Sequence, residues 1–193
     1  MTDYYADPDA SGADDGSSWT DAYPSIQTGI DALGAGDTLY CRGTFQEGAK
    51  VDFDNTSGTP ASPLRIIGCN ASGSVDGTLS VIDANSGVYS AAEIPIASDY
   101  IIENISFTGA GTSNSGFKCT GYNAYRIVFN NCSFSNNASH GAFFESKLLD
   151  STIFRCRANN NGAYGFREPG TDCAIVACKA IGNGSKGFSN PKS

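Results

Sequence analysis

Histidine and tryptophan each occur once, and the one methionine is the first residue. The seven cysteines never form a CxxC pair, and His140 has no cysteine partner at zinc-finger spacing, so the common zinc motifs are excluded. An odd count also excludes complete pairing into disulfides. Leucine is confined to positions 33, 39, 64, 79, 148 and 149, which excludes a leucine-rich repeat. Basic residues number 12 against 20 acidic ones, giving a net charge of −8 and a pI near 4.4. No Lys/Arg cluster is present to neutralise phosphates, so nucleic acid is not an expected partner. The same acidity disfavours polyanions such as pectate unless a cation mediates. No apolar run is long enough to span a bilayer. No basic segment followed by an apolar run marks a leader, so the expected setting is a reducing cytoplasm.

What is present is a turn-rich chain. It has 193 residues, 23 of them glycine, with 40% hydrophobic and only 17% charged residues. That length suits one domain with a sizeable core. Four segments of the C-terminal half repeat: "IIENISFTGAGTSNSGFKC" from Ile101, "IVFNNCSFSNNASHGAFFE" from Ile127, "TIFRCRANNNGAYGFRE" from Thr152 and "AIVACKAIGNGSKGFSN" from Ala174. Ile105, Cys132, Cys156 and Cys178 align. Phe107, Phe134, Ala158 and Ala180 then share a second column two residues on, as inward strand positions require. Gly116-Phe117, Gly165-Phe166 and Gly187-Phe188 fall together, with Gly141-Ala142-Phe143 close to register. Asn and Gly clusters separate the runs and suit left-handed turns. Steps of 27, 24 and 22 residues between the first-column positions are short for helical repeats, which run to about 34 or more. Stacking one such coil on the next gives a parallel β-solenoid.

Ahead of the coils, Tyr23, Ile26, Ile30 and Leu33 form one apolar stripe, predicting a short helix from Pro24 to Leu33 that ends at Gly34. Such a helix covers core and sheet edges at the open end. "DTLYCRGTF" reads as the first strand, "PLRIIGCNASG" and "TLSVIDA" as further ones, and "AAEIPIAS" as the least regular coil. The expectation is one domain: an N-terminal strand, loop and capping helix over 1–35, then about seven coils of roughly 22 residues over 36–193. The last segment, "GFSNPKS", follows a repeat without a visible cap. Solenoid ends need one, so a partner, a neighbouring subunit, a truncation or a short irregular cap is expected there.

The coil repeats, with the stretch "YYADPDASGADDGSSWTDAYPSIQTGIDALGAGDTLYCRGTFQE", resemble the right-handed parallel β-helix, or pectin-lyase-like, superfamily. That resemblance implies an all-β, single-stranded right-handed β-helix over nearly the whole chain. It says little of function, because the fold hosts lyases, hydrolases, adhesins and viral spikes.

Candidate chemistry is sparse. His140 in "SHG" is a faint echo of the Gly-His-Gly segment of polygalacturonases, whose paired Asp-Asp and Arg-x-Lys segments are missing. Glu145 and Glu168 occupy similar post-Phe positions and are the weak candidates for an acid pair or a shared cation. Arg155, Arg157 and Arg167 are the available lyase-type bases; Arg155 and Arg157 read as two solvated residues on one outward strand face. The cysteine column reads as buried core rather than a metal ladder. Asn131, Asn137, Asn160 and Asn183 read as turn-satisfying amides. Tyr4, Tyr5, Trp19, Tyr122, Tyr125 and Tyr164 are candidate sugar-stacking or partner-contact rings. Asp7, Asp9, Asp14 and Asp15 form a candidate calcium site, although Ser18 stands where an EF-hand needs Glu. No other cofactor is implied.

The expected function is a non-catalytic structural or adhesive β-helix, a phage virion component such as a capsid decoration, tail spike or fibre module. It would assemble in the host cytoplasm, with virion proteins or as a homo-oligomer, a trimer by analogy with the family. The alternatives are a polysaccharide lyase or glycoside hydrolase, and an extracellular carbohydrate-binding surface protein.

Overall fold

The computed structural model describes residues 1–53, 57–145 and 147–189. In chain order the elements are β1 (Asp3–Ala6), α1 (Ile26–Asp31), β2 (Thr38–Cys41), β3 (Thr44–Phe45), β4 (Val51–Asp52), β5 (Leu64–Gly68), β6 (Ser80–Asp83), β7 (Ala92–Ile94) and β8 (Ser98–Glu103). Then follow β9 (Ile105–Thr108), β10 (Phe117–Cys119), β11 (Ala124–Asn130), β12 (Ala142–Phe143), β13 (Leu148–Leu149), β14 (Thr152–Phe154), β15 (Phe166–Arg167) and β16 (Ala174–Val176). They build three sheets. Sheet A runs β1-β2-β5-β8-β11-β14-β16, with β13 also on β11; sheet B is β3-β6-β9; sheet C is β4-β7-β10-β12-β15. Every strand pairing within them is parallel and joins one coil to the next, which is a parallel β-helix.

Each coil turns because one residue per corner takes a left-handed backbone. Between sheets A and B these are Asn104, Asn131, Arg155 and Ala177, with φ of 56°, 52°, 52° and 55°. After sheet B they are Gly109, Asn136, Asn160 and Gly182, and a further column, Asp99, Arg126, Asp150 and Asp172, lies at the start of sheet A, with Asp99 inside β8 and Arg126 inside β11. Asn and Gly accept this conformation most readily. Arg155 therefore sits on a corner and only Arg157 lies in the sheet B ladder, so the two do not share one strand face. The same logic splits "DTLYCRGTF". Gly43, at φ 91°, turns the chain after Cys41, so β2 and β3 join different sheets.

The interior follows the sequence columns. Ser106, Ser133, Arg157 and Lys179 pair in succession, which stacks the residues before them, Ile105, Cys132, Cys156 and Cys178. All seven thiols are free. Burial raises the pKa of Cys119 to about 12 and that of Cys69 to about 11, so these are inert packing groups. Phe107 and Phe134 stack with centroids 5.3 Å apart and planes 6° apart, and Phe117 and Phe129 meet them edge-on. Burying each ring stabilises the fold by roughly 1.5–3 kcal/mol. Six sheet A rungs follow Gly36 and β1 supplies a seventh. The long step from Arg65 to its partner Ile101 takes up chain that even spacing would give to another coil.

The helix is shorter than the apolar stripe. Ser25 caps it by accepting the Thr28 N–H at 3.2 Å, and Glu47 accepts the Ile26 N–H and the Ser25 hydroxyl, each at 2.7 Å. Pro24 thus stands outside the first turn. The buried Ile26, Gly29 and Ile30 face the first coil, where Gly29 lies against Leu39. Of "GFSNPKS", where a short irregular cap is one of the alternatives, residues 190–193 lie outside the described residues.

Buried asparagines form a second ladder. The Asn161 side-chain oxygen accepts the Asn137 N–H at 3.1 Å, and its amide donates to the Phe134 carbonyl at 2.9 Å and to the Asn183 side-chain oxygen at 2.9 Å. Asn161 is only 2% exposed, so its partners have no water to turn to. Replacing it by Ala strands several buried polar groups, each costing about 1–3 kcal/mol. Asn161→Ala is expected to lose about 3 kcal/mol in denaturant unfolding. A loss below about 1 kcal/mol would show that the ladder is not under tension from burial.

Candidate functional site

The outward face of sheet C collects the chain's unusual side chains. Its inward positions are fixed by the column Val51, Ala92, Phe117, Ala142, Phe166 and Phe188. The next residue of each strand must then point outward. That column reads Asp52, Glu93, Lys118, Phe143 and Arg167. One glycine before the inward column lets successive coils approach closely: a Cβ on Gly141 would lie 2.6 Å from the Gly165 carbonyl oxygen. The residue before that glycine is Ser115, His140 or Tyr164 in three successive coils. Backbone bonds from Gly116 to the His140 carbonyl and from Gly141 to the Tyr164 carbonyl hold this second column in step.

The two columns meet at Phe143. The Arg167 guanidinium lies 4.4 Å from its ring centroid and the Lys118 ammonium 5.9 Å. His140 meets the ring edge-on at 5.2 Å and Tyr164 lies 5.5 Å from His140. Arg167 also approaches His140 Nε2 at 2.8 Å, while the Tyr164 N–H faces Nδ1 at 3.3 Å. Arginine and a backbone N–H are both donors, so the two contacts disfavour the doubly protonated ring. Burial, and then the Arg167 charge, push the His140 pKa down to about 4.

The two weak acid candidates both lie at this face but in different settings. Glu145 accepts from Lys147 at 3.0 Å and Lys118 at 3.2 Å. Burial opposes its charge, but the two lysines outweigh that and hold its pKa below the ordinary value. Glu168 is nearly buried and pairs with Arg167 at 3.2 Å. Phe143 pairs with Arg167, so Glu145 lies two residues past its rung and Glu168 one past. The positions are therefore not equivalent. Lys50, bonded to Asp52 at 2.8 Å and Glu93 at 2.9 Å, extends the charged face toward the N-terminal coils. Lys118, Phe143, Lys147 and Lys50 were not legible as site residues from their own motifs. Lys118 and Phe143, like Arg167, stand one past the aligned Gly-Phe, Gly-Ala and Gly-Phe pairs, and that position is their signal; Lys147 and Lys50 carry none.

The N-terminal aspartates are dispersed in role. Asp7 pairs with Arg42 at 2.6 Å and accepts the Asp9 N–H; Asp15 accepts the Ser17 N–H; Asp14 occupies a left-handed turn. Among the described residues no group of three or more His, Cys, Asp or Glu side chains is placed to hold a metal ion. Trp19 lies under Arg42 at 4.5 Å and against Tyr5, and Tyr4 leans on Tyr23. Tyr122 and Tyr125 are the exposed rings, beside Ile96. No helix among the described residues is long and apolar enough to cross a membrane.

The chain matches no protein-family profile and no curated protein. Solved structures with a similar backbone include pectate lyase Pel9A, with a TM-score of 0.74 and 19% identity, covering 92% of this chain and 47% of that one. Alginate lyase from Paenibacillus sp. str. FPU-7 gives 0.65 and 16%, covering 82% and 55%. A lacto-N-biosidase from Eubacterium ramulus gives 0.65 and 14%, covering 86% and 36%. The chain thus spans about half the length of the first two structures and about a third of the other. What it shares with them is the fold, a right-handed parallel β-helix.

Proposed function

We propose that this chain binds acidic polysaccharide along the outward face of sheet C. The observation that carries this reading is the pair of cations, Arg167 and Lys118, set over the Phe143 ring with His140 and Tyr164 beside it. A uronate ring offers an apolar C–H face to the aromatic groups and a carboxylate to the cations. Guanidinium and carboxylate match as planar, bidentate partners. The net charge of −8 opposes a polyanion at long range. Salt screens that repulsion within about 8 Å at physiological strength, so the local cations decide. Two of the structurally similar proteins are named as lyases of pectate and of alginate, both acidic polysaccharides, which supports the reading.

If turnover accompanies binding, elimination suits this face better than hydrolysis. Glycoside hydrolysis needs one carboxyl kept protonated as the acid. Glu145 is held ionised by its lysines. Elimination needs a cation at the uronate carboxylate and a neutral base nearby. Arg167 supplies the cation, and His140, whose ring nitrogens face Arg167 and the Tyr164 N–H, positions it rather than serving as the base. Binding without turnover is the adhesive reading drawn from the sequence.

Titration calorimetry with oligogalacturonate and with alginate oligosaccharides tests the proposal. Binding of at least one is expected, weakened about tenfold or more in Arg167→Ala, which corresponds to about 1.4 kcal/mol. No binding of either, or unchanged binding in the variant, overturns it. Ultraviolet absorbance of an unsaturated product, read in parallel, separates lyase from adhesin.

The low pKa of His140 predicts an acid sensitivity. Between pH 6.5 and about 4 the unfolded chain takes up a proton at His140 that the folded chain refuses. Stability contributed by the neutral ring is therefore lost as pH falls through that window. The melting temperature should drop more steeply there in the native protein than in His140→Gln. Parallel curves would show that the ring is not held neutral.

A further inference from the structure

A second recess lies at the turn from sheet C to sheet A. Its volume is about 360 Å³, and its lining includes Ser57, Ile96, Ser98, Tyr122, Asn123 and Tyr125. Ile96 follows β7, and Tyr122 and Asn123 follow β10, so the recess spans two neighbouring coils. Tyr122 is 76% exposed, Ile96 55% and Tyr125 38%.

The recess is built in advance. The Tyr122 N–H donates to the Pro95 carbonyl at 3.0 Å, and the Tyr125 N–H donates to the Ala97 carbonyl at 3.1 Å. Gly121, at φ 74°, permits the close turn: a Cβ there would lie 2.9 Å from the Pro95 oxygen. The Asn123 amide donates to the Tyr125 hydroxyl at 3.3 Å, which fixes the ring and leaves the amide oxygen as an acceptor. A ring held like that of Tyr125 costs a ligand little ordering entropy.

Among the described residues the lining carries no charge. The nearest arginine in sequence, Arg126, is committed to Asp99 by two bonds of 2.7 and 2.8 Å. An acidic ligand would find no free cation in the recess. Its hydroxyl and amide groups suit a ligand with many hydroxyls, and the tyrosine faces suit one with an apolar C–H face. The volume falls in the range of small-ligand sites.

We propose that this recess is a binding site for a neutral sugar ring, separate from the acidic-polysaccharide face of sheet C. Saturation-transfer NMR on the full chain, with cello-, xylo- and galacto-oligosaccharides, tests it. At least one is expected to bind and to receive saturation on its ring protons. Tyr122→Ala should weaken it about threefold to tenfold, in line with the worth of one aromatic contact. Tyr122 is mostly exposed, so the variant's melting temperature should be unchanged. Arg167→Ala should leave neutral-sugar binding intact, and Tyr122→Ala should leave uronate binding intact. The proposal is overturned if none of the three sugars binds, if binding is unchanged in Tyr122→Ala, or if it is lost in Arg167→Ala.

Discussion

Each coil must return to its starting direction one strand spacing further along the axis. With parallel strands about 4.8 Å apart, the chain has little room for error at the corners. A single left-handed residue at each corner meets this demand, and the corners stack as columns: Asn104, Asn131, Arg155, Ala177 on one edge and Gly109, Asn136, Asn160, Gly182 on another, with Asp99, Arg126, Asp150 and Asp172 bending the start of sheet A. Both Arg and Ala occupy such positions here, so the geometry is imposed by the stack rather than granted by local preference. The stack can impose it because every rung on either side is held by parallel hydrogen bonds.

Once the corners are set, like falls on like. Inside, this makes the stacked phenyl rings and the asparagine ladder, where each amide answers the next coil's backbone. Outside, it carries residues distant in sequence to adjacent rungs. Lys118, Phe143 and Arg167 meet because Phe117, Ala142 and Phe166 are already in register. The site on sheet C is therefore as well positioned as the core behind it, which is what a recognition surface on a solenoid requires.

The inward columns were legible because burial restricts their chemistry to a few residue types at period two. Ile105, Cys132, Cys156 and Cys178 could be aligned from sequence, and the sheet B ladder places them so. Outward positions carry no such restriction. Arg155 and Arg157 read as strand neighbours because the corner between sheets leaves no apolar mark. Asn161 hid in a run of three asparagines, of which one turns the corner and another enters the core. Glu145 and Glu168 looked equivalent by distance from a phenylalanine, but rung pairing, not spacing, sets equivalence. The charged cluster around Phe143 could not be read from any single motif, since its members come from successive coils of unequal length.

Two kinds of ion pair separate scaffold from site. Arg126 grips Asp99 with two short bonds, and Asp99 is 3% exposed at its side chain. Removing that arginine would leave a buried carboxylate alone, a costly state. Its geometry belongs to the bend at the start of sheet A. Lys118 is instead paired with Glu145, and water still reaches both side chains. Pairs of that kind contribute only about 0–1 kcal/mol. A ligand carboxylate can take the place of Glu145 at Lys118 at small cost, while the cations stay fixed by the Phe143 ring and the rungs beneath. The face is thus arranged for exchange of partners: its native ion pairs keep the cations oriented without binding them too tightly to give up. On a fold that hosts many chemistries, this difference in how the cations are held, rather than the β-helix itself, is what points to sheet C.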